Sequence, residues 1–227
     1  MALHLVGILR PTNADAEIEV GGIDIVKNPE QATRVINYVF QNPSDQLFNE
    51  TPWVEIAWGL RQRKMSEDEV ARKTEEMIKL FDLERYAKEF VVSLPDGVKT
   101  RVAAASTMVL EPGIVIMDES TGGLDSIESS KMLEILSQIN RQGRTIIMIT
   151  HDMRLAAKYA HHLVVLTRGK ILADGPTREV LSKPDLLREA SLMPPQITRL
   201  GQALEEFGMP RDVLTVDEMY KMLEAVM

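Results

Sequence analysis

Two acidic residues follow an apolar segment near the middle of the chain. Asp118 and Glu119 come directly after residues 114–117, which read IVIM. Such an apolar run is typical of a buried strand in a parallel sheet, and ligands bind beyond the carboxyl ends of such strands. There, one carboxylate can hold Mg²⁺ on a nucleotide and the next can polarise an attacking water molecule. The alternative is a solvated acidic pair at the end of a strand.

A second apolar segment leads to a histidine. Residues 145–150 read TIIMIT, and His151 follows them. In a parallel sheet, His151 would meet Asp118 and Glu119 at one edge, which is typical of a nucleotide hydrolase; the alternative is a structural histidine. The phosphate-binding loop GxxxxGK[ST] does not occur in the sequence.

Strands and helices alternate along most of the chain, which predicts an α/β fold with a mostly parallel sheet. The predicted elements are a helix end within residues 1–9, a hairpin over 16–26, strands over 34–40 and 163–166, helices over 66–83 and 129–142, and an edge hairpin through Gly169. After residue 181, prolines separate three short helical stretches. We therefore predict a main domain over 1–181 and a small helical appendage over 182–227.

The composition restricts the classes of function. The chain has 227 residues, 44% of them apolar and 26% charged, with a net charge of −8 and no cysteine. An acidic chain without a basic face argues against a nucleic-acid partner. Disulfides and thiolate metal sites are excluded, and no apolar run approaches the roughly 18 residues of a membrane helix. We expect contact with a membrane only through a partner.

Five landmarks occur in a fixed order, and this order resembles the ATPase subunits of ABC transporters. The landmarks are Gln41, the segment 93–101 (SLPDGVKTR), Asp118-Glu119, Gly122-Gly123-Leu124-Asp125 and His151. The resemblance covers essentially the whole chain. It implies a P-loop NTPase-like fold over residues 1–181, truncated at its N-terminus, with a helical subdomain at about 50–110.

Two segments narrow the resemblance to the energy-coupling-factor ATPases, which power uptake of vitamins and of cobalt or nickel. These segments are residues 40–60 (FQNPSDQLFNETPWVEIAWGL) and 194–200 (PPQITRL). The resemblance implies an ATP-binding and ATP-hydrolysing subunit of an importer for a metal ion or vitamin, at the cytoplasmic face of the cell membrane. It also implies a transmembrane subunit as partner, and a second ATPase subunit that forms a homo- or heterodimer through residues 182–227.

The resemblance assigns a role to each landmark, with ATP and Mg²⁺ as cofactors. Asp118 and Gln41 would hold the metal, Glu119 would be the general base, and His151 would contact the γ-phosphate. Asp125 would reach across the dimer interface, or simply cap the following helix. Gly97 would bind nucleotide as part of the signature loop.

The N-terminus departs from the family pattern. Met1 aligns inside the helix that follows the Walker A loop, so the family's central first strand and its phosphate-binding lysine have no counterpart in this sequence. We expect the loss of that strand to leave two strand edges unpaired. The sequence leaves open whether Met1 is an internal methionine of a longer protein or the gene is truncated.

The signature loop also differs from the family pattern. The family's LSGGQ aligns with residues 94–98, which read LPDGV. Pro95 removes a hydroxyl and an N–H donor, and Asp96 places a negative charge where a phosphate would bind. We predict that this loop is impaired; the alternative is that it is only a turn before a helix.

These departures leave ATP hydrolysis by this chain open. One alternative is a non-catalytic interaction subunit that pairs with an active ATPase. A soluble ABC protein acting on DNA or ribosomes and a truncated relic are two further hypotheses.

Overall fold

The structure is a computed structural model that describes residues 1–13, 15–122 and 124–226, with the backbone alone at 225 and 226. The chain divides into two compact units, Met1–Ile149 and Thr150–Met227. We describe each unit by itself, and the predicted domain boundary after residue 181 stays a prediction.

The first unit begins with a short helix and a hairpin. Helix α1 spans Ala2–Leu5, and the antiparallel strands β1 and β2 span Glu19–Val20 and Ile23–Asp24. The turn residues Gly21 and Gly22 have φ angles of 57° and 80°, the left-handed conformation that a tight hairpin turn requires and glycine adopts without strain. The predicted hairpin is confirmed, with shorter strands, and the helix ends earlier than the apolar segment 1–9.

Three parallel strands form the main sheet of the first unit. They are β3 (Ile36–Val39), β4 (Ile114–Asp118) and β5 (Thr145–Ile149), with β4 in the centre. Val39 pairs with Met117, and Asp118 pairs with Ile149, so the carboxyl ends of the three strands lie at one edge. The interior of β4 is at most 1% exposed, as expected for the central strand of a parallel sheet. The predicted parallel sheet is confirmed.

Four longer helices complete the first unit. They are α2 (Pro52–Gln62), α3 (Glu67–Leu80), α4 (Asp96–Met108) and α5 (Ser126–Arg141). Short 3-10 turns cover Pro29–Arg34, Pro43–Asp45, Glu84–Tyr86 and Val91–Ser93. The spacing of Ser66 and Glu69 in the sequence predicts a capping box at the start of α3, and there the hydroxyl of Ser66 accepts from the N–H of Glu69 at 3.4 Å. Helix α2 packs on both α3 and α4, which makes residues 52–108 a helical layer beside the sheet.

Within the described residues, both outer strands of the three-stranded sheet, β3 and β5, have an unpaired edge. Strand β5 pairs with β4, and no other strand in the described part of the chain pairs with it. Ile147 and Ile149 of β5 are 38% and 36% exposed, which is unusual for isoleucine in a parallel sheet. The expectation that a missing first strand leaves two strand edges unpaired stays a prediction.

The second unit contains helix α6 (Met153–Tyr159) and a hairpin of β6 (His162–Thr167) and β7 (Lys170–Pro176). Four short helices follow: α7 (Thr177–Leu181), α8 (Pro184–Glu189), α9 (Gln196–Ala203) and α10 (Val216–Val226), with a 3-10 turn at Glu205–Phe207. The core of this unit is formed by Ala157, Val165, Val180, Leu181 and Leu187. The predicted edge hairpin and the three helical stretches after residue 181 are confirmed.

The apolar stripes of the last two helices are only partly buried. Met219 packs with Met209 and Val213, and Met222 lies against them, so these methionines are ordinary core residues. In contrast, Leu200 of α9 is 46% exposed, and Phe207, in the 3-10 turn after α9, is 75% exposed. The sequence predicts an apolar stripe on the last helix at residues 216, 219, 222, 223 and 226, and the side chain of Val226 lies outside the described residues.

No helix among the described residues is both long and apolar enough to cross a membrane.

Candidate functional site

The ends of β3 and β4 bring a glutamine and a glutamate together. Gln41 lies two residues beyond β3, and its Nε2 donates to Oε2 of Glu119 at 3.1 Å. Glu119 adopts φ +42°, a left-handed conformation that costs a non-glycine residue roughly 1–2 kcal/mol. Its N–H donates to the carbonyl of Ile149 at 2.9 Å and its carbonyl accepts from Gly122 at 2.8 Å. These two backbone bonds hold the strained residue and set the direction of its carboxylate.

Asp118 has a tyrosine as its partner. The hydroxyl of Tyr38, on the neighbouring strand β3, donates to Oδ2 of Asp118. Partial burial, and then the hydrogen bond to this carboxylate, raise the pKa of Tyr38, so the phenol stays a donor across the neutral range. Tyr38 was not predicted from the sequence; the signal that could have revealed it is an aromatic residue with a polar tip near the end of the strand that pairs with the acidic strand.

The donor chemistry at this edge suits Mg²⁺. Asp118 and Glu119 offer carboxylate oxygens, and Gln41 offers an amide oxygen once its nitrogen is directed at Glu119. Magnesium prefers oxygen ligands and usually takes only one or two carboxylates, with water and phosphates completing its shell. The described residues contain no group of three or more histidine, cysteine or acidic side chains arranged to hold a metal ion.

The signature segment leads into α4 with an acidic first residue. Pro95 occupies the N-cap position of α4 and makes no side-chain hydrogen bond there. Asp96 follows with its side chain 86% exposed and 3.9 Å from the ammonium of Lys99. Because a helix N-terminus carries partial positive charge, Asp96 places the chain's own carboxylate where an anion would otherwise be favoured.

A second carboxylate lies against Gly97. A Cβ atom at Gly97 would be 1.6 Å from Oε2 of Glu128. This carboxylate therefore lies directly against the glycine and leaves no room for a side chain there. The other oxygen of Glu128 is 3.6 Å from the guanidinium of Arg101, which is itself buried and donates to the carbonyls of Phe81 and Asp82 at 3.0 and 2.9 Å. Glu128 was not predicted from the sequence; it lies in the first turn of the helix that follows Asp125.

Asp125 is the N-cap of α5. One of its oxygens accepts from the N–H groups of Ile127 and Glu128, both at 2.8 Å. Helix α5 therefore begins at Ser126 rather than at the predicted residue 129. This confirms the capping hypothesis, and the role of Asp125 across a dimer interface stays a prediction. Gly123, which belongs to the landmark 122–125, lies outside the described residues.

His151 lies in the second unit, two residues after the end of β5, and is exposed. The next residue, Asp152, caps α6 by accepting from the N–H groups of Arg154 and Leu155 at 2.9 and 3.3 Å. The side-chain hydrogen bond from Arg154 lowers the pKa of Asp152. The contact of His151 with a γ-phosphate stays a prediction.

Comparison with known proteins identifies a family and several relatives. The model of the ABC transporter family matches residues 2–122. The energy-coupling factor transporter ATP-binding protein EcfA of Methanococcus maripaludis is 33% identical over 90% of this chain and 74% of its own length. The corresponding EcfA2 protein of Acetivibrio thermocellus is 34% identical over 95% of this chain and 78% of its own.

A solved structure and a longer relative complete the comparison. The structure of cbiO1 from Clostridium perfringens, part of the ABC transporter complex cbiONQ, matches with a TM-score of 0.73 and 28% identity, over 90% of this chain and 81% of that one. A protein of Methanosarcina acetivorans is 37% identical over 99% of this chain. The chain spans only 37% of that relative's length.

Proposed function

The chain belongs to the ABC transporter family, among its energy-coupling-factor ATP-binding proteins, and from this premise we propose that it is the ATP-binding and ATP-hydrolysing subunit of an importer for a metal ion or vitamin. The observation that carries the proposal is the placement of Gln41, Asp118 and Glu119 at one edge of the sheet, with 3.1 Å between the Gln41 amide and the Glu119 carboxylate. Phosphoryl transfer depends more on positioning of the reacting groups and on stabilisation of charge than on covalent chemistry. These residue types can supply both.

In this proposal each side chain at the sheet edge has its own task. Glu119 accepts the proton of the attacking water, and the amide of Gln41 fixes the direction of that carboxylate. Asp118, oriented by the Tyr38 hydroxyl, holds the metal together with the amide oxygen of Gln41. Bound Mg²⁺ would neutralise charge on the phosphate oxygens of ATP. His151 contacts the γ-phosphate, and Asp125 couples this site to the site of the second ATPase subunit.

A transmembrane subunit is the proposed partner of the segment after Gln41. Phe48 is 63% and Trp58 43% exposed. Their rings pack edge to face with centroids 5.0 Å apart. Large exposed aromatics of this kind are typical of protein interfaces. A docked subunit there would act on Gln41 through the short intervening loop and would hold this chain at the cytoplasmic face of the membrane.

The second ATPase subunit is the proposed partner of residues 182–227. Val216, Tyr220 and Leu223 follow one another at helical spacing on α10 and are 68%, 60% and 46% exposed. A row of exposed apolar side chains on one helix face suits burial against another helix.

A second candidate is a non-catalytic interaction subunit that pairs with an active ATPase. The observation that favours it is the pair of acids at the signature segment, the exposed Asp96 and the Glu128 carboxylate against Gly97. Two negative charges at this position repel a partner's nucleotide phosphates. The chain would then keep its docking surfaces while the partner turns over ATP.

Two measurements test these proposals together. The protein is purified from its native cells under conditions that preserve complexes, and Mg-ATP binding to the complex and to the purified chain is measured by calorimetry. A co-purifying transmembrane subunit and micromolar ATP affinity of the chain support the leading proposal. Millimolar or weaker ATP affinity of the chain, with the same partners, favours the non-catalytic subunit. Co-purification with ribosomes or DNA contradicts both.

A further inference from the structure

The side chain of Gln46 connects the end of β3 to α4. Its Oε1 accepts from the N–H of Phe40, the residue directly before Gln41, at 3.2 Å. Its Nε2 donates to the carbonyl of Ala103 at 2.9 Å and to the hydroxyls of Thr107 and Ser106 at 3.0 and 3.4 Å. One amide group thus contacts two elements that lie far apart in the sequence.

This arrangement requires the amide chemistry of glutamine. The backbone N–H of Phe40 needs an acceptor, and the carbonyl of Ala103 needs a donor. A carboxylate would satisfy the first and face the second with like charge, and an apolar side chain of equal length would satisfy neither. Gln46 is half-buried, so water replaces these bonds only in part.

A second buried side chain fastens the rest of the same loop. Glu55 of α2 is 5% exposed, and its Oε2 accepts from the N–H groups of Phe48 and Asn49 at 3.2 and 2.8 Å. The loop between Gln41 and α2 is therefore bound to α4 at Gln46 and to α2 at residues 48 and 49. Its position depends on the helices, although it begins at the sheet.

We propose that Gln46 is a positioning residue that couples Gln41 to α4, a role that rests on the proposed function. The N-terminus of α4 carries the signature segment 94–98, and Ala103 and Thr107 lie in its second half. A helix of this length moves as a rigid body, so a displacement of the signature segment is transmitted through Gln46 to Phe40 and Gln41. The distance between the Gln41 amide and Glu119 then follows the state of α4.

Hydrogen exchange, followed by mass spectrometry, tests the connection on the purified protein. Gln46→Met removes both the acceptor for the Phe40 N–H and the donor to the Ala103 carbonyl, while the side chain keeps nearly the same length. Gln46→Glu keeps only the acceptor for Phe40. The matched control is Gln62→Met at the exposed end of α2. We expect Gln46→Met to speed exchange at the Phe40 amide by roughly 2- to 10-fold, the range for one lost hydrogen bond. Gln46→Glu should leave the Phe40 amide protected, and the control should change nothing.

The functional half of the proposal is tested in the assembled transporter by the ratio of substrate transported to ATP hydrolysed. We expect Gln46→Met to lower this ratio while the thermal unfolding midpoint stays close to that of the unchanged protein. A fall of transport and hydrolysis in equal proportion would indicate a merely structural role and would overturn the proposal. Unchanged exchange at Phe40 would overturn it as well.

Two further variants keep these outcomes separable. If Gln46→Met does not fold, Thr107→Val removes a single partner of the amide at constant shape, and the same exchange and coupling measurements apply. Glu119→Gln in the same transporter tests the proposed function by itself. If that variant leaves hydrolysis unchanged, the proposed function fails, whereas the exchange data still decide whether Gln46 couples the Gln41 loop to α4.

Discussion

At the scale of single residues, hydrogen bonds between neighbouring strand ends set the geometry of the candidate site. Tyr38 and Gln41 come from β3 and its extension, and Asp118 and Glu119 from β4 and its extension. Each acidic residue thus has one partner from the strand beside it. The acids were predictable from the sequence, because an apolar run that ends in two carboxylates is typical of a buried strand leading to a ligand site. Their partners were not, since the register between β3 and β4 decides which side chains meet.

The bond between Tyr38 and Asp118 makes a prediction about pH. The folded protein raises the pKa of Tyr38 above its unfolded value of about 10, so folding favours the protonated phenol. The associated stability is fully present below pH 10 and is lost as the pH rises further. We expect Tyr38→Phe to remove this part of the loss of stability at alkaline pH. The measurement is the urea unfolding midpoint between pH 8 and 11. Tyr86→Phe is the matched control, and an unchanged pH dependence in Tyr38→Phe would contradict the account.

Asp96 makes a second prediction at this scale. Replacement of Asp96 by Asn removes the charge at the signature segment and keeps the size of the side chain. We expect the affinity of the assembled ATPase pair for ATP to rise by roughly two- to fivefold, because solvent screens an exposed charge. The measurement is ATP titration of the complex, with Asp68→Asn in the first turn of α3 as the control. No gain in affinity would mean that the loop does not approach a phosphate.

At the scale of elements, caps decide where the helices begin. The start of α3 was predictable, because Ser66 and Glu69 form a recognisable capping box. The start of α5 was predicted three residues too late, because Asp125 was assigned to a functional loop and its capping role was treated as an alternative. The exposure of Leu200 and Phe207 was not predictable, since helical spacing indicates an apolar face but not whether another element covers it.

The capping of α5 by Asp125 can be separated experimentally from the proposed role of this residue across the dimer interface. Asp125→Ala removes both, and we expect it to lower the free energy of unfolding by about 1 kcal/mol. Asp125→Asn keeps the capping oxygen, so its unfolding free energy should stay within a few tenths of a kcal/mol of the original. If ATP turnover in the transporter falls in Asp125→Asn as well, the carboxylate has a role beyond the cap. Equal destabilisation in both variants would contradict the capping account.

At the scale of the whole molecule, the two compact units carry different tasks in the proposed function. The first holds the metal ligands, the general base and the signature segment, and the second carries His151 and the exposed face of α10. The parallel sheet was predictable from alternating strands and helices. The division after Ile149 was not, because no change in composition marks it.

The exposed face of α10 makes a prediction about assembly. Leu223→Asp places a charge in the apolar row, and we expect the dissociation constant between ATPase subunits to rise at least tenfold, as for a central interface residue. Lys221→Asp, on an exposed position of the same helix, is the matched control. Sedimentation velocity over a range of concentrations gives both constants. Equal dissociation constants for Leu223→Asp and the unchanged protein would place the interface elsewhere.

The proposal that Glu119 serves as the general base of an ATP-hydrolysing subunit is the one on which the other functional proposals depend. Its most direct test is the rate of ATP hydrolysis by the purified transporter that carries Glu119→Gln, with Glu134→Gln on the exposed side of α5 as the control. We expect this chain's share of the turnover to fall by roughly 100-fold or more, while the control keeps the full rate. Turnover unchanged by Glu119→Gln would contradict the account and leave this chain as the non-catalytic partner of an active ATPase.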